Sequence, residues 1–258
     1  MTDGQIRFQE TGMTRTTPAE TDTKTVKPSG RGKVQDRVLT SLRYGLMSGL
    51  FVPGQVFSLR KLAASLGTSP MPIRESLSRL VAANALEELP NRSVRVPRLN
   101  ATSLSQLFEM RTLIEGVATR VACEKVTDEL LEKLERLNQS IIEAHGQGDM
   151  AEVLRANQKF HFAIYGHADS DIMMPLIESL WLRSGPTMYY SLNSPGLWDA
   201  SSHVKILDAM DARAPEEARA AMVEDILKTG DYLVEKASTR TNSGPFADLG
   251  TLAADDMT

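Results

Sequence analysis

Residues 58–97, SLRKLAASLGTSPMPIRESLSRLVAANALEELPNRSVRVP, decide the fold. Ser58 suits the N-cap of a short helix from Leu59 to Leu66, and Gly67 suits the left-handed position that closes it. Ser69 is read as the cap of a further helix, with Pro70 at its first position and Pro72 still in its first turn, where a missing N–H costs nothing. Ile73, Leu77, Leu80 and Val81 form that helix's apolar stripe and leave Arg74, Ser78 and Arg79 outside it. After Asn84 the period changes. Leu86 and Leu89 lead into the turn residues Pro90 to Ser93, then Val94 and Val96 alternate with Arg95 as in a short strand that Pro97 ends. Upstream, Val34, Val38, Leu42 and Leu46 recur at helical spacing, and Gly49 and Pro53-Gly54 stop them. Short helices followed by a basic β-hairpin describe a winged helix-turn-helix over 33–98.

Downstream the pattern is helical throughout. Leu104, Leu107, Phe108, Leu113 and Val117 mark a long helix, and Thr127 caps a second that ends near Gly146. Further helices are expected over 150–165, 171–183 (resuming toward Tyr190 after Gly185-Pro186) and 200–212, with a last one opened by Pro215. The fold class is therefore mainly α: a winged helix-turn-helix, then an all-α bundle of about six helices over 101–238. Residues 1–32 and 239–258 are poor in aliphatics and are read as a disordered arm and a flexible tail.

The chain has 258 residues, a net charge of −4 and one cysteine, Cys123. It cannot form an intrachain disulfide, contains no run of apolar residues long enough for a membrane helix, and opens without the apolar core of a secretory signal. A disulfide-stapled secreted domain, a membrane-spanning protein and a collagen-like fibre are excluded. A cytoplasmic protein is expected. The net charge hides an asymmetry: 33–98 carry ten Lys/Arg against four Asp/Glu, whereas 99–258 carry a net −11. A basic module joined to an acidic one points to a polyanionic partner for the first.

In a helix-turn-helix the second helix enters the major groove, its N-terminal residues nearest the bases. Arg74 lies one turn into that helix, with a planar fork suited to guanine or phosphate. Ser69 can donate to a phosphate, Arg60 can touch the backbone, and Arg92 and Arg95 can reach phosphates or the minor groove from the hairpin.

These residues carry a resemblance. The Leu-Arg-x-Leu-Ala opening at Leu59, the Pro-Ile-Arg-Glu-x-Leu run from Pro72 and the following hairpin resemble the N-terminal domain of GntR-family transcriptional regulators. The resemblance implies operator contacts at Arg60, Ser69, Pro70, Met71, Arg74, Arg92 and Ser93. Two positions depart from the family pattern: Pro70 stands where an arginine often follows the serine, and Ser93 where the wing commonly has glycine.

The helical region resembles the effector-binding FCD domain of the FadR-like branch, in EMRTLIEGVATRVA (109–122), NQKFH (157–161), SSHVKILDAM (201–210) and EEARAAMVEDI (216–226). Asn157 and His161 share one helical face, and His203 and Asp225 come from two further helices. Brought together, they offer two imidazoles, a carboxylate and an amide oxygen, a set suited to Zn²⁺, Ni²⁺ or Mn²⁺. The family pattern implied by the resemblance is Asp, His, His, His; Asn157 and Asp225 depart from it, as though a carboxylate had changed helices. The resemblance further implies that Arg111 pairs with an acidic effector, for which a bidentate guanidinium–carboxylate contact is the physical reason. Arg183 and Tyr190 are possible additions to such a pocket. The expected protein is a dimeric regulator that binds operator DNA and answers to a small carboxylate. The alternative is a metal-dependent enzyme carrying a nucleic-acid-binding module.

Overall fold

The computed structural model describes residues 30–194, 197 and 199–238. The expected tail lies outside these residues, as does the expected arm up to residue 29; the first helix, α1 (Gly30–Met47), already begins within the last positions assigned to the arm.

Val38, Leu42 and Leu46 of α1 are buried against α3 (Pro70–Ala82), whose Ile73, Leu77 and Leu80 form the facing stripe. Between them lies α2 (Leu59–Ser65), where the Ser58 side chain accepts a hydrogen bond from the Lys61 amide and Gly67 adopts φ 59°. Ser69 stands at the N-cap position of α3 but makes no side-chain cap hydrogen bond, which corrects the reading from sequence. The reason is Pro72, which has no N–H at the third helical position, the one at which the caps of the neighbouring helices find their donor.

The wing is larger than a hairpin. Strands β2 (Glu87–Glu88) and β3 (Val94–Arg95) pair antiparallel, and β3 pairs on its other edge with β1 (Val56–Phe57). The sheet order is β1-β3-β2. Phe57 is buried edge-on to Phe51 at 4.9 Å, which ties the wing to the turn after α1.

The helical domain opens with α4 (Ala101–Glu124), capped by Asn100, and continues with α5 (Asp128–Gln147), capped by Thr127 and closed by Gly148 in the left-handed region. It goes on through α6 (Met150–His167), α7 (Met173–Ser184), a 3₁₀ turn at 185–187, α8 (Met188–Leu192), α9 (Ser201–Asp211) and α10 (Pro215–Ser238). The expected continuation past Gly185-Pro186 is the 3₁₀ turn and α8. Helices α4 and α10 lie along one another and form the spine of the bundle. None of the described helices is long and apolar enough to cross a membrane.

The two domains meet where α1 ends. Arg43 on α1 pairs with Glu178 on α7 at 2.7 Å, and the 3₁₀ turn packs on the last residues of α1. Gly185 is helical (φ −50°, ψ −45°), so an alanine there meets no backbone penalty. A Cβ on it, however, would stand 2.7 Å from both the Cα and the carbonyl oxygen of Met47 and closer still to the carbonyl of Leu46. Those atoms are backbone and cannot move aside cheaply. Gly185→Ala is therefore expected to lower stability by about 1–3 kcal/mol, where a helical Gly→Ala change ordinarily gains. Urea unfolding at pH 7 measures it, and an unchanged or raised midpoint contradicts this packing.

Candidate functional site

The recognition face of the winged helix presents Arg60, Ser69, Pro70, Met71 and Arg74 together on its surface, all exposed. Met71, at 51% exposure, is an apolar side chain held out in solvent at the second position of α3. On the wing, Arg92 is exposed at the tip and Ser93 half-buried. The wing residue in the left-handed region is Arg92, with φ 60°, one position before Ser93, where the family pattern commonly has glycine. Ser93 instead donates its amide and hydroxyl to Asn91 Oδ1, at 3.0 and 2.6 Å, which fixes the turn. Arg95 is half-buried and donates from Nε to Glu87 Oε1 across the strands at 2.5 Å. Its fork is thus partly engaged within the wing, while Arg92 and Arg74 are exposed.

The second group lies inside the helical domain. His161 on α6, His203 on α9 and Asp225 on α10 each bring a ligand atom to one place, all within 4.8 Å of one another. Both histidines are buried. His161 Nε2 faces Asp225 Oδ2 at 3.6 Å. Asn157, one turn before His161, lines the same cavity, together with Arg111, Trp181, Ser191, Ser202 and Lys228. All four residues singled out from sequence, and Arg111, therefore converge. Arg183 is exposed and does not line the cavity, and Tyr190 is half-buried outside it.

The far side of each imidazole is held by a polar partner. Tyr165 donates its hydroxyl to Glu115 Oε2 at 2.5 Å, so toward His161 Nδ1, 3.3 Å away, it acts as acceptor. The amide oxygen of Asn138 lies 3.2 Å from His203 Nδ1. Both contacts place the proton on Nδ1 and turn the Nε2 lone pair into the cavity, the arrangement that orients metal-bound histidines. Burial depresses the pKa of both: His161 falls well below its ordinary value, helped by His203 and Arg111, and His203 falls to about 4. Burial raises Asp225 from 3.8 to about 6 against the pull of Arg111. At neutral pH two unprotonated imidazoles and a carboxylate thus point lone pairs at one another, which suits a shared cation better than mutual hydrogen bonds. The donor set fits a borderline divalent ion. The cavity offers about 30 Å³ to the centre of a water-sized body, enough for an ion or a water.

Arg111 is not a free guanidinium. Its Nε and Nη2 donate to the two carboxylate oxygens of Glu115, at 2.6 and 3.0 Å, and its plane lies 4.5 Å from the ring centre of Trp181 and 5.0 Å from that of Phe108. Burial works against its charge, but Glu115, with Tyr165 and Asp225 behind it, holds the pKa above the ordinary arginine value. Glu115, Tyr165 and Asn138 were not singled out from sequence. The four-residue spacings Arg111/Glu115 and His161/Tyr165 were a usable signal; Asn138 had none, because its partner lies 65 positions away.

Residues 34–96 match the family model described as bacterial regulatory proteins, gntR family, and residues 106–227 match the FCD domain. The HTH-type transcriptional regulator McbR of Escherichia coli K12 is 31% identical over 204 residues, spanning 76% of this chain and 92% of that one. The chain belongs to the GntR family. A solved structure of E. coli McbR/YncC superposes with a TM-score of 0.71 at 27% identity, covering 80% of this chain and 99% of that one. The HTH-type transcriptional repressor NanR of Cronobacter sakazakii is 26% identical over 249 residues, spanning 83% of this chain and 92% of that one. This GntR-family chain is thus a DNA-binding regulator of transcription with an FCD effector domain, and these relatives are regulators rather than enzymes.

The buried imidazoles give the metal-free protein a pH signature. A histidine whose folded pKa lies below 6.5 contributes stability that is present above pH 6.5 and lost as the pH falls toward the folded value. Asp225, raised to about 6, acts oppositely: its contribution is present below 3.8 and lost as the pH rises through 6. For His203 alone, lowered to about 4, the cost at pH 5 relative to pH 7 is about 2 kcal/mol. His203→Gln, stripped of metal by chelator, should lose less Tm than wild type between pH 7 and pH 5. Equal losses would show that His203 is not buried in its neutral form.

Proposed function

We propose that this regulator is a repressor that binds a two-fold operator as a dimer, and that a small carboxylate held at a divalent ion in the helical domain releases it. The convergence of His161, His203 and Asp225 on one cavity, in a domain attached to a winged helix, carries the reading. These three residues, with Asn157 beside them, would hold the ion. When bound, the ion supplies a Lewis-acid seat for a carboxylate. Asp225 is the cavity's uncompensated acid, because Arg111 is balanced by Glu115 and Lys228 pairs with Asp199 at 3.1 Å. A divalent ion reverses that sign and makes the cavity attractive to an anion. Arg111, with two of its donors given to Glu115, keeps others to orient the effector.

A sugar acid or organic acid exceeds the 30 Å³ now open, so its entry must move a wall. The α7–α8 wall is the one that transmits. Trp181, Met188 and Ser191 line the cavity, and between them the 3₁₀ turn packs on the end of α1. A shift there alters the seat of the DNA-binding domain, which couples effector and operator affinities reciprocally. The repressor sense is supported by the NanR relative, a transcriptional repressor. Dimerisation is supported by Met110, Leu113 and Val117, which recur at helical spacing on α4 and are 44%, 51% and 36% exposed. A two-fold dimer sets two recognition helices on a palindrome. Cytoplasmic location follows as part of the same reading.

Arg74→Ala is expected to weaken operator binding by roughly 1–3 kcal/mol in a fluorescence-anisotropy titration at fixed salt. Leu113→Glu should leave the fold intact but turn the dimer into monomer by light scattering, with a further loss of operator affinity. Unchanged affinity in the first, or an unchanged mass in the second, removes that part of the reading. For the ion, chelator-stripped protein should gain thermal stability with Zn²⁺, Ni²⁺ or Mn²⁺, and Asp225→Ala should abolish the gain. Equal stabilisation of both proteins, or none of either, overturns the metal centre.

A further inference from the structure

A cavity larger than the one that holds the histidines lies elsewhere in the described residues. A cleft of about 530 Å³ opens at the seam between the domains, against about 30 Å³ at the His161–His203–Asp225 site. Well-packed interiors have few voids larger than a water molecule, and ligand sites favour domain interfaces at this size. One wall comes from α1, the turn after it and α2, with Leu42, Phe51 and Leu62. The other comes from the first turns of α6, with Met150 and Leu154. Four of these five side chains are buried, so the cleft is floored by core residues of both domains rather than by surface chains.

Its charges cancel. Arg155, the cationic residue of the lining, pairs with Glu152 at 3.1 Å. Asp149 uses Oδ1 to accept the Glu152 amide as the cap of α6. Glu152 balances the charge of Arg155, and the Asp149 carboxylate is engaged as the cap of α6, so the lining offers little net charge to an ion and suits a neutral molecule. One polar anchor remains. The Tyr44 hydroxyl lies in the field of Arg155 and Glu152 and has no hydrogen-bond partner among the described residues, and burial raises its pKa, so it stays a neutral phenol.

The cleft also lies beside the junction that joins the domains. Gly49, in the left-handed region at φ 79°, lines it, and a Cβ there would stand 2.8 Å from the Gly185 carbonyl oxygen. A molecule in the cleft would touch α2, which precedes the recognition helix, and α6, which carries His161. We propose that this interdomain cleft is a second ligand site, taking a neutral, largely apolar small molecule with one hydrogen-bonding group, and that its occupancy changes operator affinity. The site is independent of the metal–carboxylate reading; only the operator effect rests on the chain's being a DNA-binding regulator.

The test uses the neutral fluorophore N-phenyl-1-naphthylamine with full-length, metal-free protein. Saturable enhancement with one site per chain is expected. Ala151→Trp fills the cleft from α6 and Ser65→Trp from α2. Each should weaken the probe by about tenfold or more while keeping the wild-type circular dichroism and Tm. Asp225→Ala, in the other cavity, should bind the probe as wild type does. Saturating probe should change wild-type operator affinity by about fivefold or more and leave the tryptophan variants unmoved. Absence of saturable enhancement, undiminished binding in a folded tryptophan variant, or loss of binding in Asp225→Ala overturns the site. If one tryptophan variant fails to fold, the other decides. A bound probe that leaves wild-type operator affinity unchanged overturns the regulatory half alone.

Discussion

A buried ion pair sits at the centre of the helical domain. Arg111 is 2% exposed and Glu115 is fully buried, one turn apart on α4. Charges in such a place are tolerated only when each is paired and its remaining hydrogen-bonding capacity is met. Here the requirement recruits neighbours. Trp181 from α7 covers the guanidinium, and Tyr165 from α6 donates its hydroxyl hydrogen bond to Glu115 and thereby becomes the acceptor facing His161. The orientation of one candidate ligand thus follows from the satisfaction of a charge pair on a different helix. Loss of either partner would strand the other, at a cost of about 3–5 kcal/mol by general experience with buried pairs.

The same pair changes what Arg111 can do. A free arginine in a pocket would seize any carboxylate; one already bridged by Glu115 is preorganised and neutralised, and offers only the edge that Glu115 leaves. Affinity for an anion then has to come from something else in the cavity. The cluster of two neutral imidazoles and one acid would supply it only through a divalent ion held there, as proposed above, which is why the two sets of residues are best understood together.

The sequence made much of this legible. Ser58, Gly67 and Pro70 punctuate the winged helix because capping and turn chemistry are local, and each stands where that chemistry put it. Strand β1 was not visible, because Val56-Phe57 is too short to show an alternation and its pairing with β3 is set by tertiary contact. The idle cap at Ser69 was readable in principle, since Pro72 stands at the position that should have donated. In the helical domain, resemblance and spacing located His161, His203, Asn157, Asp225 and Arg111. The partners that hold them escaped notice, for two reasons. Glu115 and Tyr165 looked like ordinary helix residues until their burial was known, and Asn138 meets His203 only through the packing of α5 on α9.

The prolines at the start of α3 have an effect beyond the missing cap. A helix ordinarily offers several unpaired amides at its beginning, and these attract phosphate. With Pro70 and Pro72 in place, the first turn keeps the amide of Met71 between them. The backbone therefore lends little to anion capture at the start of α3. What it lends instead is rigidity, because both rings restrict the unfolded chain as well as the folded one. If this tip enters the groove as proposed, grip on the duplex would fall to the arginine forks and the unengaged Ser69 hydroxyl, on a stiff tip from which Met71 projects into solvent.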